Sequence, residues 1–301
     1  MKHEDQIEFY KCPLCGTGTG NDLEKNGEDE EHDCPIAKEM RAEDDLLQEK
    51  SSHMEKNSEK IILDLCGGTG SWARPYAERG YKVVTITLPD YSVLDYKYDG
   101  ALLAFPSITN KEIIGIKVKD IVGVLAAPPC TMFSFARTKA KKPRDLQEGM
   151  ECVRACLDII WRIMEVEQET GKKTLPLQFW ALENPYHGFL KKFLGKPVFT
   201  FDPWEFGDGY QKRTALWGHF NEPIKTPVPM TPEAKEKAKT NSYIHKLKYP
   251  VAGRDDERIK FDYLKSKDIH PEHFGKFDGQ TRRSITPRGF AEAFYKANKM
   301  I

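Results

Sequence analysis

The sequence predicts an α/β fold built on a parallel sheet, and three observations predict it. Ile61-Ile62-Leu63-Asp64-Leu65 is an apolar run that breaks into Cys66-Gly67-Gly68-Thr69-Gly70, as a buried strand does where a tight turn hands over to a helix. Ile121 to Ala127 is a second buried run, stopped by Pro128 and Pro129, neither of which can donate to a ladder. Glu148 to Glu169 has helical periodicity, with Val153, Cys156, Leu157, Ile160, Ile163 and Met164 as its apolar stripe; Phe179-Trp180-Ala181-Leu182 then returns as a strand. Strands separated by helices of this length pair in parallel.

At 301 residues the chain can bury a sizeable core, in one large domain or two. Its formal net charge is zero but unevenly spread. Residues 1–58 hold 16 Asp/Glu against 7 Lys/Arg, and residues 222–301 hold 17 Lys/Arg against 11 Asp/Glu. A basic C-terminal part suits a polyanion partner; a solvated lysine-rich surface is the alternative. No apolar run is long enough to span a bilayer, and Met1-Lys2-His3-Glu4-Asp5 does not begin a signal peptide. Seven cysteines in a chain of this size do not suggest a disulfide framework. The expectation is a protein of the reducing cytoplasm with no membrane association.

Residues 1–58 read as an acidic extension. Within it, Cys12-Pro13-Leu14-Cys15 holds two thiols on one tight turn, and His32 and Cys34 are candidates to complete a tetrahedral zinc knuckle. A flexible acidic arm whose cysteines share no ligand is the competing reading. Met40, Leu46 and Leu47 suggest a short amphipathic helix within residues 36–50, followed by a linker to about Glu59.

The folded core is expected over residues 59–221. After the strand at Ile61–Leu65, Ser71 reads as the N-cap of a helix running to about Arg79, which Gly80 ends. Val83 to Thr87 is the next strand. Strand, glycine turn, helix and strand make half of a Rossmann-like sheet. The turn lacks the G-x-G-x-x-G of dinucleotide sites. Its D-L-x-x-G-x-G form suits S-adenosylmethionine, whose carboxylate and ribose would lie against the glycine backbone; a plain tight turn is the alternative. Asp64, Cys66, Gly67, Gly68, Thr69, Gly70 and Trp72 are the candidate cofactor residues. Asp90, in Thr87-Leu88-Pro89-Asp90, and Asp95 are candidates for the ribose and the adenine side, or else surface carboxylates.

Cys130 follows Pro128-Pro129 at the carboxyl end of a strand, where open α/β sheets place ligands. A small packing cysteine at an ordinary strand exit is the alternative. Arg137, Lys139, Lys141, Lys142 and Arg144 make the next loop basic, which fits a phosphate backbone or a solvated loop. Glu183-Asn184-Pro185 ends the Phe179–Leu182 strand, so Glu183 can face the crevice that Cys130 faces. Gln211-Lys212-Arg213 leads into a further strand. Residues 222–281, rich in Pro, Lys and Tyr, read as a small inserted region, and a closing helix within residues 282–301 follows Ser284-Ile285-Thr286-Pro287.

Taken in this order, D-L-C-G-G-T-G, P-P-C-T-M-F-S, E-N-P, Q-K-R and the Ser-Ile-Thr-Pro helix resemble the C5-cytosine DNA methyltransferases, in particular the short solitary forms of phages and prophages. The resemblance runs from about Ile61 to the end. It implies a Rossmann-like S-adenosylmethionine-dependent methyltransferase sheet with a small C-terminal recognition insertion at residues 222–281. It implies double-stranded DNA as partner, a monomeric enzyme, and a role such as protection against restriction (restriction-modification) or regulation. It implies Cys130 as the nucleophile, Glu183 as the acid on the base and Arg213 as the arginine bracing that pair. Pro128 falls to the cofactor side, and Pro129, Ser134, Arg137, Asn184 and Gln211 to the substrate side.

These residue types answer a chemical need. Cytosine C5 is a poor nucleophile until a thiolate adds at C6 and breaks the aromaticity. A carboxyl group bonded to N3 and the exocyclic amine stabilises the charge that develops. The base must leave the duplex to be reached. The chain departs from the family pattern at Cys66 (usually phenylalanine), Thr131 (glutamine), Pro185 (valine) and Ala215, where the family's second arginine contacts the base's O2. RNA cytosine methyltransferases take their thiol from a Thr-Cys where this chain has Glu183-Asn184-Pro185, and amino-methylating enzymes carry an aromatic where it has Cys130. A tRNA-methylating branch of the DNA-type family and a catalytically silent DNA-binding relative are the alternatives.

Overall fold

A computed structural model describes residues 54–135, 140, 142–170, 177–208, 210–227 and 279–300, with short pieces at 10–11, 18–19, 39 and 42–43. The chain divides into two compact units, residues 1–56 and 57–301. In the first, β1 (Tyr10–Lys11) pairs antiparallel with β2 (Gly18–Thr19). Residues 39 and 42–43 are helical, within the stretch where an amphipathic helix is expected. The candidate zinc ligands Cys12, Cys15, His32 and Cys34 lie outside the described residues. Among the described residues, no group of His, Cys, Asp and Glu is placed to hold a metal ion.

The second unit is mixed α/β around a mostly parallel central sheet. Its strands are β3 (Ile61–Leu65), β4 (Lys82–Ile86), β8 (Ile121–Ala126), β9 (Phe179–Pro185), β10 (Phe199–Phe201) and β11 (Thr214–His219). They are ordered β10-β11-β9-β8-β3-β4. The four strands β4, β3, β8 and β9 run parallel, while β11 pairs antiparallel with β9 and β10. Between β4 and β8 the chain forms a separate antiparallel sheet of β5 (Lys97–Tyr98), β6 (Leu102–Pro106) and β7 (Ile113–Lys117), which the sequence reading did not anticipate.

Side chains alternate across the sheet, and that alternation builds two cores. Ile61, Leu63, Leu65, Val124, Ala126 and Leu182 pack with Val153, Cys156, Ile159, Ile160 and Ile163 of α2 (Leu146–Thr170). Ile62, Leu125, Phe179, Ala181 and Leu216 face the other way. They meet Tyr76 of α1 (Arg74–Ala77) and Phe290, Ala291 and Phe294 of α5 (Arg288–Asn298). Further helices among the described residues include α3 (Lys191–Leu194) and α4 (Gly279–Ser284). No helix among the described residues is long and apolar enough to cross a membrane.

Two local expectations are corrected. The helix after the glycine turn is short and does not start at Ser71, because Pro75 occupies its first turn and residues 71–73 form turns. Ser71 Oγ instead accepts a hydrogen bond from Thr286 N at 2.8 Å. The strand expected to end at Leu182 continues to Pro185, because β11 supplies partners up to the Thr214–Pro185 register. Of residues 222–281, where the sequence suggests a recognition insertion, only the first six and last three are described.

Candidate active site

Strand β3 has β4 on one side and β8 on the other, so the connections that follow β3 and β4 leave in opposite directions. Such a switch point opens a crevice at the carboxyl ends of the strands. The glycine turn leaves β3 there, the Pro128–Ser134 segment leaves β8, and Glu183 lies near the end of β9, the next strand.

The glycine turn is tightly built. Cys66 sits at φ 57°, unusual for a non-glycine residue, and Gly68 and Gly70 follow at φ 56° and 66°. Gly68 N donates to Thr87 Oγ1 at 3.2 Å, tying the turn to the end of β4. Beneath it, Asp64 is fully buried, and neither of its carboxylate oxygens has a hydrogen-bond partner. A Cβ on Gly67 would collide with that carboxylate. Burial pushes the Asp64 carboxyl up to about 7. Thr69 Oγ1 and Trp72 Nε1 are also buried without partners. Buried polar groups normally find partners, and Asp64 and Thr69 at this turn have none among the described residues.

The other candidate cofactor residues are placed differently. Trp72 is 3% exposed and packs against Phe290 and Phe294 in the aromatic core. Asp90 is exposed and accepts from Thr109 Oγ1 at 3.1 Å, and Asp95 is exposed. The Cys66 thiol shares a hydrogen bond with Cys156 of α2. Residues 284–286 close over the turn: Ser284 lies against Gly68, and Thr286 holds Ser71.

Cys130 begins a tight turn in which its carbonyl accepts from Phe133 N at 3.0 Å and from Ser134 N at 2.9 Å. Pro128 is buried, Pro129 exposed and Cys130 half-buried. Asn184 fastens this segment to β9: its Nδ2 donates to the Pro128 carbonyl at 3.0 Å, and its Oδ1 is buried without a partner. The bond holds the segment that leads to Cys130 against the end of β9, which carries Glu183. Cys130 and Glu183 therefore feel one another. Burial pushes the Cys130 thiol up, and the Glu183 carboxylate adds to that; Lys212 and Arg283 pull it back down. Burial likewise raises the Glu183 carboxyl, opposed by Lys212.

Arg213 has another setting. Its guanidinium meets Asp202 Oδ2 at 3.2 Å and donates to Thr200 Oγ1 at 2.9 Å. The cation acting on both Cys130 and Glu183 is Lys212, whose Nζ donates to the Ile285 carbonyl at 3.1 Å. Lys212 and Arg283 are the charged residues that the sequence reading passed over. The signal for Lys212 lay in plain view as the middle of Gln211-Lys212-Arg213. Gln211 is half-buried beside it, and Ser134 bridges to Gly188. Arg137 lies outside the described residues.

The arrangement joins a desolvated thiol, a carboxyl group that holds its proton more firmly than usual, and a lysine whose charge acts on both. Beside them stands a turn with unpartnered polar atoms. No protein-family model matches the chain, and no curated protein matches it.

Proposed function

We propose that the chain is a cytoplasmic, monomeric methyltransferase with a Rossmann-like sheet that transfers a methyl group to C5 of cytosine in DNA, with S-adenosylmethionine as donor. The observation that carries this reading is the Cys130–Glu183 pair, held together by the Asn184–Pro128 hydrogen bond at the ends of adjacent parallel strands. A nucleophilic thiol beside a carboxyl group of raised pKa is what addition to a cytosine ring requires.

Asp64, Gly67, Gly68 and Thr69 would hold the cofactor, since the Asp64 and Thr69 oxygens at this turn have no hydrogen-bond partner among the described residues. Bound there, S-adenosylmethionine supplies an electrophilic methyl group to C5. The protein's own part starts with Cys130. As thiolate, its Sγ bonds to C6, and the ring electrons move toward N3, where protonated Glu183 donates its proton. Loss of the C5 proton to a solvent base then restores the ring, returns the N3 proton to Glu183 and expels Cys130 as thiolate. Lys212 favours the thiolate and limits how far the Glu183 pKa rises. The flipped base leaves the duplex to reach this pair.

The test is a covalent adduct. DNA containing 5-fluorocytosine, which has no C5 proton to lose, should trap the protein in the presence of cofactor as a band stable to denaturation. Cys130→Ser should give none while still binding DNA. No adduct with the wild-type protein on any duplex containing 5-fluorocytosine, with cofactor present, overturns the reading.

A further inference from the structure

Next to the cysteine–glutamate pair the surface carries an arrangement that the reaction itself does not use. Tyr186-His187-Gly188-Phe189 leaves β9 and turns into α3. The turn is stitched to the segment after Cys130: Ser134 bridges to Gly188, and Phe189 N donates to the Phe133 carbonyl at 3.0 Å. Cations lie over its rings. Lys191 Nζ stands 4.3 Å from the Tyr186 ring centroid, and Lys192 Nζ 5.1 Å from that of Phe189. Phe135 meets Phe189 edge-on at 4.9 Å yet stays 47% exposed. From residue 186 to 198 the chain holds three lysines, one histidine and no acid.

Each feature has a physical consequence. A lysine over a ring has its stem fixed while its ammonium group stays solvated. Less side-chain freedom is then left to lose when an anion binds. An exposed ring beside such cations is a stacking platform, and bases stack on rings while phosphates pair with cations. A simple polyanion would use the lysines but leave Phe135 without a role.

We propose that residues 186–196, together with Phe135, are a docking surface for the DNA strand that carries the target base. Lys191, Lys192 and Lys196 take its phosphates, and Phe135 stacks on a base next to the one that leaves the helix. The surface rests on the proposed reaction in that the strand it holds leads to Cys130.

The test measures binding of the full chain to a fluorescein-labelled random-sequence DNA duplex by anisotropy, across a range of salt concentrations. Lys192 and Lys196 are exposed, so the double variant Lys192→Gln/Lys196→Gln should fold; thermal melting checks this. It should bind roughly tenfold more weakly at 0.1 M salt, with a salt slope shallower by about 0.9 per lysine removed. Phe135→Ala should bind at least roughly fivefold more weakly with the slope unchanged. Variants that match the wild type in affinity and slope overturn this surface alone. A wild-type protein that binds no duplex overturns the proposed reaction with it. An RNA hairpin that binds more tightly than the duplex, through the same residues, overturns the assignment to DNA.

Discussion

Lys212 and Arg213 are neighbours in the chain and serve different networks: Lys212 acts on Glu183 and Cys130, while Arg213 pairs with Asp202 at 3.2 Å. They stand just before β11, where consecutive side chains diverge. Asp202 receives Arg213 and, at 3.0 Å, the Lys212 backbone N–H, so it fixes the fork between them. The Lys212 ammonium is in turn anchored to the Ile285 carbonyl, which links the site to the segment closing over the glycine turn.

The two cations should therefore separate by experiment. Lys212→Met removes the charge that lowers the Cys130 pKa, so iodoacetamide should alkylate Cys130 several-fold more slowly at pH 8, with its pH profile displaced upward. Arg213→Met should leave that profile in place. It should destabilise the fold instead, by about 1–3 kcal/mol, because Asp202 loses its ion pair in a largely buried position. Equal alkylation profiles for wild type and Lys212→Met would refute the assignment.

Asp64 makes stability depend on pH. Its folded pKa, about 7, lies above the ordinary value of 3.8, so between those limits the folded state binds more protons than the unfolded state. Stability should then fall as pH rises from about 4 to about 7 and level off above, by roughly 4 kcal/mol at most. Asp208, raised by burial to about 6, works in the same direction. Asp64→Asn should flatten the larger part of this slope and raise Tm at pH 8. Melting curves between pH 5 and pH 8 decide, and an unchanged slope in Asp64→Asn would remove Asp64 as its source.

Gly67 is tied to the same carboxylate. Gly67→Ala forces a methyl group onto the Asp64 side chain, which is fully buried and has nowhere to retreat. The expected cost is about 2–4 kcal/mol, together with weaker S-adenosylmethionine binding. In the double variant Gly67→Ala/Asp64→Ala part of the stability should return, since the clash is gone. Calorimetry on the two variants checks both statements; full stability in Gly67→Ala would mean that the turn is not packed as described.

How much of this the sequence carried depended on where the physics was local. Strands β3 and β8 were legible because apolar runs stop at Gly67-Gly68 or Pro128-Pro129, which act on their own backbone. Helix α2 was legible from its stripe. The separate sheet of β5 to β7 was not, because its strands take their partners from one another and not from the central sheet. The extra length of β9 came from β11, more than 25 residues later in the chain. Cys130 and Glu183 could be named from strand ends. The choice of Lys212 over Arg213 could not, because it is made by Asp202 and Thr200, residues that the sequence does not place.

Asn184 is where fold and site meet, and it yields the last prediction. Its Nδ2 holds the Pro128 carbonyl at 3.0 Å, across the gap between β9 and the segment leading to Cys130. Asn184 is 1% exposed, so the Pro128 carbonyl lies away from bulk solvent. Asn184→Ala should cost about 1–3 kcal/mol for the stranded carbonyl. The effect on chemistry should be larger than the effect on binding. Cys130 would lose its fixed distance to Glu183, and misplacement by about 1 Å can cost roughly a hundredfold in rate. DNA affinity, set by contacts elsewhere, should change little. Single-turnover methyl transfer and duplex binding, measured on the same variant, separate these effects. A parallel loss of both would mean that Asn184 contacts the substrate and does not position Cys130.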